Sequence, residues 1–210
     1  MLLHEQPLTC PKCNTRHYYY IIASCNTINA VTYSDGKTIG PMYDIQQIYG
    51  RCTNCAHIFL LKDAEEPNSV VEKIDLYSES GLKLIKDPGI YGFASLLDSP
   101  DEDAIQHEKY IRTQIFQLYN DRLRAGLPLL SMRADKALWR SNLLKLSALL
   151  DITNPNDAIM KAEVMRNLGH FGHARSILTS IKDPSLQSVK KQLLKKCRLH
   201  QKRVFELQNN

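Results

Sequence analysis

Four cysteines carry the clearest chemistry in this chain: Cys10-Pro-Lys-Cys13 and Cys52-Thr-Asn-Cys55 are two Cys-x-x-Cys turns separated by 38 residues. Each such turn can direct two thiolates at one ion, and two of them close a tetrahedral site. Cys10, Cys13, Cys52 and Cys55 are therefore the expected ligands of a structural Zn2+. Four sulfurs leave no position open for water or substrate, so the expected role of the metal is folding rather than catalysis. His17 and His57 lie close enough in sequence to replace a sulfur or to hydrogen-bond to one. Cys25 reads as a small buried residue at a strand end, and Cys197 as a packing residue on the apolar face of a helix. His170 and His173 flank Phe171 without a neighbouring carboxylate and are read as turn residues.

Other chemistry is hard to find. The chain contains no phosphate-binding glycine loop, no Gly-x-Ser-x-Gly elbow and no His-Glu-x-x-His. The acidic run Asp101-Glu102-Asp103 suits the first turn of a helix, where the macrodipole favours negative charge. A non-catalytic protein is expected.

The elements that must hold the cysteines read as β structure. His17 to Ala23 is rich in strand formers, Ala30 to Tyr33 leads into Ser34-Asp35-Gly36-Lys37, and Ile58 to Leu61 forms a short last strand. Asp-Gly suits a tight hairpin turn with positive φ angles. That hairpin, with Asn26 and Thr27, is a candidate recognition surface. Residues 1–62 thus form a zinc ribbon, and 63–98 an acidic linker with one or two short elements. Residues 99–210 form a helical domain, giving an α+β chain.

Helix signals recur through the C-terminal half. Ser99-Pro100-Asp101-Glu102 is an N-cap followed by proline, and Ile111, Ile115 and Leu118 share one face as far as Gly126. A second helix is expected from Arg133 to Leu150, a third from Asn154-Pro155 to Leu168, and a fourth from Gly172 to Ile181. A fifth opens at Asp183-Pro184 and carries its apolar stripe to Val204.

Charge divides unevenly over 210 residues and a net +5. Residues 1–132 hold 12 Lys+Arg against 16 Asp+Glu, and residues 133–210 hold 15 against 6. The basic surface this implies could meet an acidic partner, nucleic acid through Lys190, Lys191, Lys195 and Lys196, or the acidic middle of the chain. Met1 to Thr9 lacks the features of a signal peptide and no apolar run is long enough to cross a bilayer, so a cytoplasmic location without membrane partners is expected.

Two resemblances add to this reading. Gly169, Phe171, Ala174, Leu178 and Pro184 resemble the turn between the paired helices of a tetratricopeptide repeat, over about residues 155–186. That similarity implies that flanking helices stack on the pair and that the stack binds a peptide or partner protein. The order Cys-Pro-x-Cys, Ser24-x-Asn26-Thr27, Ser34-Asp35-Gly36-Lys37, Cys-x-x-Cys, Tyr119-Asn120-Asp121-Arg122 resembles a group of uncharacterised bacterial proteins with a four-cysteine ribbon and repeat-like helices. The functional expectation is a protein–protein interaction module of adaptor or toxin-neutralising type, with nucleic-acid binding or regulation as the alternative.

Overall fold

The computed structural model describes residues 1–64, 82–98 and 102–208. The Ser99-Pro100-Asp101 cap and the acidic stretch 65–81 lie outside the described residues. The chain is α+β, with short strands first and helices after them. It divides into two units, one of Met1–Ala30 with Thr38–Gly92, the other of Val31–Lys37 with Phe93–Asn210.

In the first unit, β1 (Leu2–Thr9) and β2 (Arg16–Ser24) pair antiparallel, ending at Thr9 opposite Arg16. Alternation along β2 turns His17 and Tyr19 inward, while the Tyr18 and Tyr20 rings meet edge to face with centroids 5.6 Å apart. Strand β3 (Val31–Thr32) belongs to the second unit and β4 (Thr38–Ile39) to the first. Strands β5 (Tyr49–Arg51) and β6 (Ile58–Leu60) form a second antiparallel pair, and β7 (Lys83–Leu84) adds parallel to β2. Leu8, Cys10, Tyr19, Cys52, Phe59, Leu61 and Ile85 make one buried cluster. Gly50 permits its tightest approach: a Cβ there would fall 2.5 Å from Ile85 Cγ1 and 2.6 Å from Leu61 Cδ2.

Among the described residues seven helices follow: α1 (Gly89–Asp98), α2 (Glu102–Gln106), α3 (Glu108–Arg124), α4 (Arg133–Leu149), α5 (Pro155–Leu168), α6 (Phe171–Ser180) and α7 (Gln187–Arg198). Within the second unit, Trp139 of α4 packs on Phe116 and Tyr119 of α3, with centroids 5.6 and 5.3 Å away. Asp135 at the third position of α4 accepts from the N–H groups of Ser131 and Met132 and from the Tyr119 hydroxyl, fixing the start of the helix. Helix α5 is capped by Asn154, whose side chain accepts from the N–H groups of Asn156 and Asp157. It stops at Gly169, φ +86°, where the His170 N–H reaches the Met165 carbonyl. Ala162, Met165, Ala174, Leu178, Leu193 and Cys197 bring α5, α6 and α7 into one core.

The last helix is shorter than its apolar periodicity predicts. It ends at Arg198, not Val204, because His200 takes a left-handed conformation, φ +51°, and its N–H turns back to the Cys197 carbonyl. Residues 201–208 then run as a tail. Arg166 donates to the carbonyls of Gln201 and Arg203, Ser34 N–H donates to Phe205 O, and Leu207 N–H donates to Thr32 O.

The hairpin at Asp35-Gly36 also departs from expectation. Only Gly36 has positive φ, +78°; Gly36 N–H donates to Tyr33 O and Tyr33 N–H to Lys37 O. This is a turn closed by a glycine bulge rather than a two-residue turn with both central residues left-handed. Asp35 is fully buried within the second unit, so it offers no recognition surface.

Candidate metal centre

The two antiparallel pairs of the first unit each end in a cysteine turn. Cys10 to Cys13 fills the connection between β1 and β2, and Cys52 to Cys55 that between β5 and β6. The turns are built alike. Cys10 N–H donates to Thr15 O and Asn14 N–H to Cys10 O; Cys52 N–H donates to His57 O and Ala56 N–H to Cys52 O. In each turn the residue after the second cysteine is left-handed, Asn14 at φ +55° and Ala56 at φ +59°. Asparagine tolerates that conformation; alanine holds it at a cost.

All four sulfurs lie within 4.8 Å of one another. Across the two turns, Cys10 Sγ is 3.7 Å from Cys55 Sγ and Cys13 Sγ is 3.6 Å from Cys52 Sγ. A tetrahedron of ~2.3 Å metal–sulfur bonds has edges of ~3.8 Å, whereas a disulfide needs ~2.05 Å. The four sulfurs could therefore hold one metal ion. Cys10 and Cys52 are buried and Cys13 and Cys55 half-buried, so one side of the site is shielded and the other meets solvent.

The surroundings favour thiolate at one corner first. The Thr15 hydroxyl, 3.1 Å from Cys13 Sγ, and the Thr15 N–H hold the Cys13 thiol down at about 5. Burial pushes the Cys10 thiol up to about 12. Asn54 N–H points at Cys52 Sγ from 3.4 Å, and the Asn54 side-chain amide donates to Thr15 Oγ1 at 3.1 Å.

His17 is a neighbour of the sulfurs rather than one of the clustered ligands. It is fully buried, with Nε2 3.3 Å from Cys52 Sγ and Nδ1 3.3 Å from the Lys83 carbonyl. The second contact comes from β7, an element that cysteine spacing gives no hint of. The His57 ring stacks on Phe59, centroids 5.9 Å apart. Cys25 is exposed, not buried, since it falls just past the end of β2; Cys197 is buried on α7. His170 and His173 are exposed at the α5–α6 turn. Among the described residues, no other group of three or more His, Cys, Asp or Glu side chains converges in this way.

The four lysines of α7 do not form one free face. Lys190 Nζ donates to the Ile181 carbonyl at 2.7 Å and so closes the end of α6. Lys196 Nζ sits 4.7 Å from the centroid of Phe205, a tail residue with no place in a reading based on helical periodicity. Lys191 and Lys195 are exposed.

No known protein family, curated protein or solved structure matches the chain significantly. Among the described residues, no helix is long and apolar enough to cross a membrane.

Proposed function

We propose that this chain is a non-catalytic interaction protein, in which a structural Zn2+ bound by Cys10, Cys13, Cys52 and Cys55 fixes the N-terminal module and the helical unit engages a partner protein. The tetrahedral spacing of the four sulfurs carries this reading. Zinc is the metal whose chemistry suits four thiolates in two such turns in a non-redox role, and its full coordination leaves no position for substrate. A tetratricopeptide-like arrangement of α5 and α6 is supported by left-handed Gly169 between them, half-buried Phe171 and fully buried Ala174. Stacked helices of this kind serve as binding surfaces, which favours an adaptor or toxin-neutralising role in the cytoplasm.

The test has two parts. Purified protein should contain one zinc per chain by elemental analysis and lose much of its stability to urea on prolonged chelation; protein that is isolated metal-free, or that is equally stable after chelation, sinks the structural-metal reading. Affinity purification from the native cell should then return a protein partner at stoichiometric amount. Nuclease-sensitive recovery of nucleic acid instead would favour the second reading, in which exposed Lys191 and Lys195 contact phosphates.

A further inference from the structure

Helix α7 contains five cations, Lys190, Lys191, Lys195, Lys196 and Arg198, and no acidic residue. Lys191 and Lys195 are four residues apart and Arg198 three further, so like charges repeat along one side, an arrangement that opposes the helix unless counter-charge arrives from elsewhere. Among the described residues, Lys191, Lys195 and Arg198 meet no carboxylate in an ion pair. All three line a groove of about 740 Å³ between α7 and the C-terminal tail, together with Lys196, Gln192, Phe205 and Glu206. The Glu206 carboxylate accepts from the Tyr33 hydroxyl and faces four cations, so the groove keeps an excess of positive charge. The far wall is fixed: Gln192 brackets Gln208 through both its amide atoms, and Arg166 holds the tail at Gln201 and Arg203.

We infer that this groove receives an extended, carboxylate-rich peptide segment of a partner protein. The inference rests on the protein-partner reading above and supplies its surface and chemistry. Lys191 and Lys195 are one helical turn apart, about 6 Å, which matches the ~6.6 Å between alternate side chains of an extended chain. The groove has room for a few residues, and Phe205 with the lysine methylenes gives the segment an apolar floor. Single-stranded nucleic acid would need an open stacking ring. The one aromatic here already engages Lys196 at 4.7 Å and Arg166 at 5.2 Å. Duplex DNA reads an unobstructed helix in its major groove, and here the tail walls α7 on its charged side.

The metal-loaded full chain is titrated into a fluorescein-labelled dodecapeptide of alternating Glu and Ser, and binding is followed by anisotropy at low and moderate salt. Binding is expected to weaken with salt, to fall at least tenfold with Lys191→Glu/Lys195→Glu, and to fall at least tenfold when Gln replaces Glu in the peptide. Lys136→Glu/Arg140→Glu, which reverses the same charge at exposed positions of α4, is expected to leave it unchanged. Failure of the peptide to bind, equal loss in the two reversal variants, or tenfold tighter binding of a twelve-nucleotide oligothymidylate would each overturn the assignment. A partner captured equally by wild type and by Lys191→Glu/Lys195→Glu also overturns it while leaving the protein-partner reading intact. Peptide binding that meets every criterion, with no protein partner captured, supports the groove and counts against that reading alone.

Discussion

Arg124 Nη1 lies 2.9 Å from Asp35 Oδ2, joining the C-terminal turn of α3 to a hairpin residue 89 positions earlier in the chain. Asp35 is fully buried; Asn120 donates to the same oxygen and Gln117 to the Asp35 carbonyl. Breaking such a pair from one side leaves a buried charge uncompensated, at a cost of about 3–5 kcal/mol. Arg124→Met, which leaves the Asp35 carboxylate buried without its cation, should lower the urea midpoint accordingly. Lys37→Ala, which removes only the partly exposed contact with Asp121, should cost less than about 1 kcal/mol.

This pairing shows what the sequence could and could not reveal. Local rules found a turn at Asp35-Gly36 and two metal knuckles, because Cys-x-x-Cys spacing and Asp-Gly chemistry act over four or five residues. The burial of Asp35 depends on Gln117, Asn120 and Arg124, and nothing nearby in sequence announces it. The segment from Pro88 to Gly92 reads as punctuation, yet α1 starts at Gly89, and Phe93 is buried against Tyr110 with centroids 6.3 Å apart. Tertiary packing overrides Gly92 there, while Gly89 uses its conformational freedom at the helix start, φ +71°. The end of α7 was hidden for the opposite reason: apolar spacing continues to Val204, but His200 takes the left-handed position usually given to glycine.

Metal affinity should depend on pH through Thr15. With the Cys13 thiol held at about 5, this corner is already thiolate at neutral pH, while Cys10, held at about 12, must lose its proton to solvent when the metal binds. Loading therefore releases protons, and affinity falls as pH falls. Thr15→Val removes the hydroxyl that stabilises the Cys13 thiolate. Competition with a chromophoric chelator should show the variant weaker than wild type, by a larger factor at pH 6 than at pH 8. An equal factor at both would mean that Thr15 acts only through packing.

The metal-free protein carries the same signature. Cys13 has a folded value below its ordinary 9, so its contribution is complete above pH 9 and is lost as pH falls toward 5. Cys10 has a folded value above 9, so its contribution is present below pH 9 and is lost as pH rises toward 12. Urea denaturation of the chelated protein should find these two contributions jointly largest near pH 9. Cys13→Ser should remove the acid-side slope between pH 5 and 9.

Two glycines should respond in opposite directions to alanine. At Gly50 the new methyl meets Ile85 and Leu61 side chains at 2.5 and 2.6 Å, and both are buried in the core around the cysteines. Overpacking of this kind costs about 1–3 kcal/mol. At Gly172, in the first turn of α6, an added Cβ meets open space, so Gly172→Ala should stabilise by up to about 0.5 kcal/mol, less than in a helix interior. Thermal melts of the two variants under the same metal loading check the pair. A neutral Gly50→Ala would mean that β5 shifts to make room.

Arg166 offers the sharpest test of how the tail is held. Its guanidinium and the Glu163 carboxylate are both fully buried; Nε is 2.7 Å from Glu163 Oε2, and the remaining nitrogens reach the carbonyls of Gln201 and Arg203. Glu163 also accepts from Ser34 Oγ at 2.8 Å and from the Asn167 amide. One ion pair therefore anchors a hairpin, a helix and the tail together. Arg166→Met removes the cation and leaves Glu163 buried and unpaired, a loss of about 3–5 kcal/mol, whereas Glu163→Met/Arg166→Met removes both charges and should recover part of it. The tail should still loosen in the double variant, because its two carbonyls lose their donor whether or not Glu163 is present. Limited proteolysis should accordingly cut near Lys202 and Arg203 faster than in wild type in both variants, while only the single variant shows the full loss in urea stability. Equal stability losses in the two would show that the buried charge is not what Arg166 compensates.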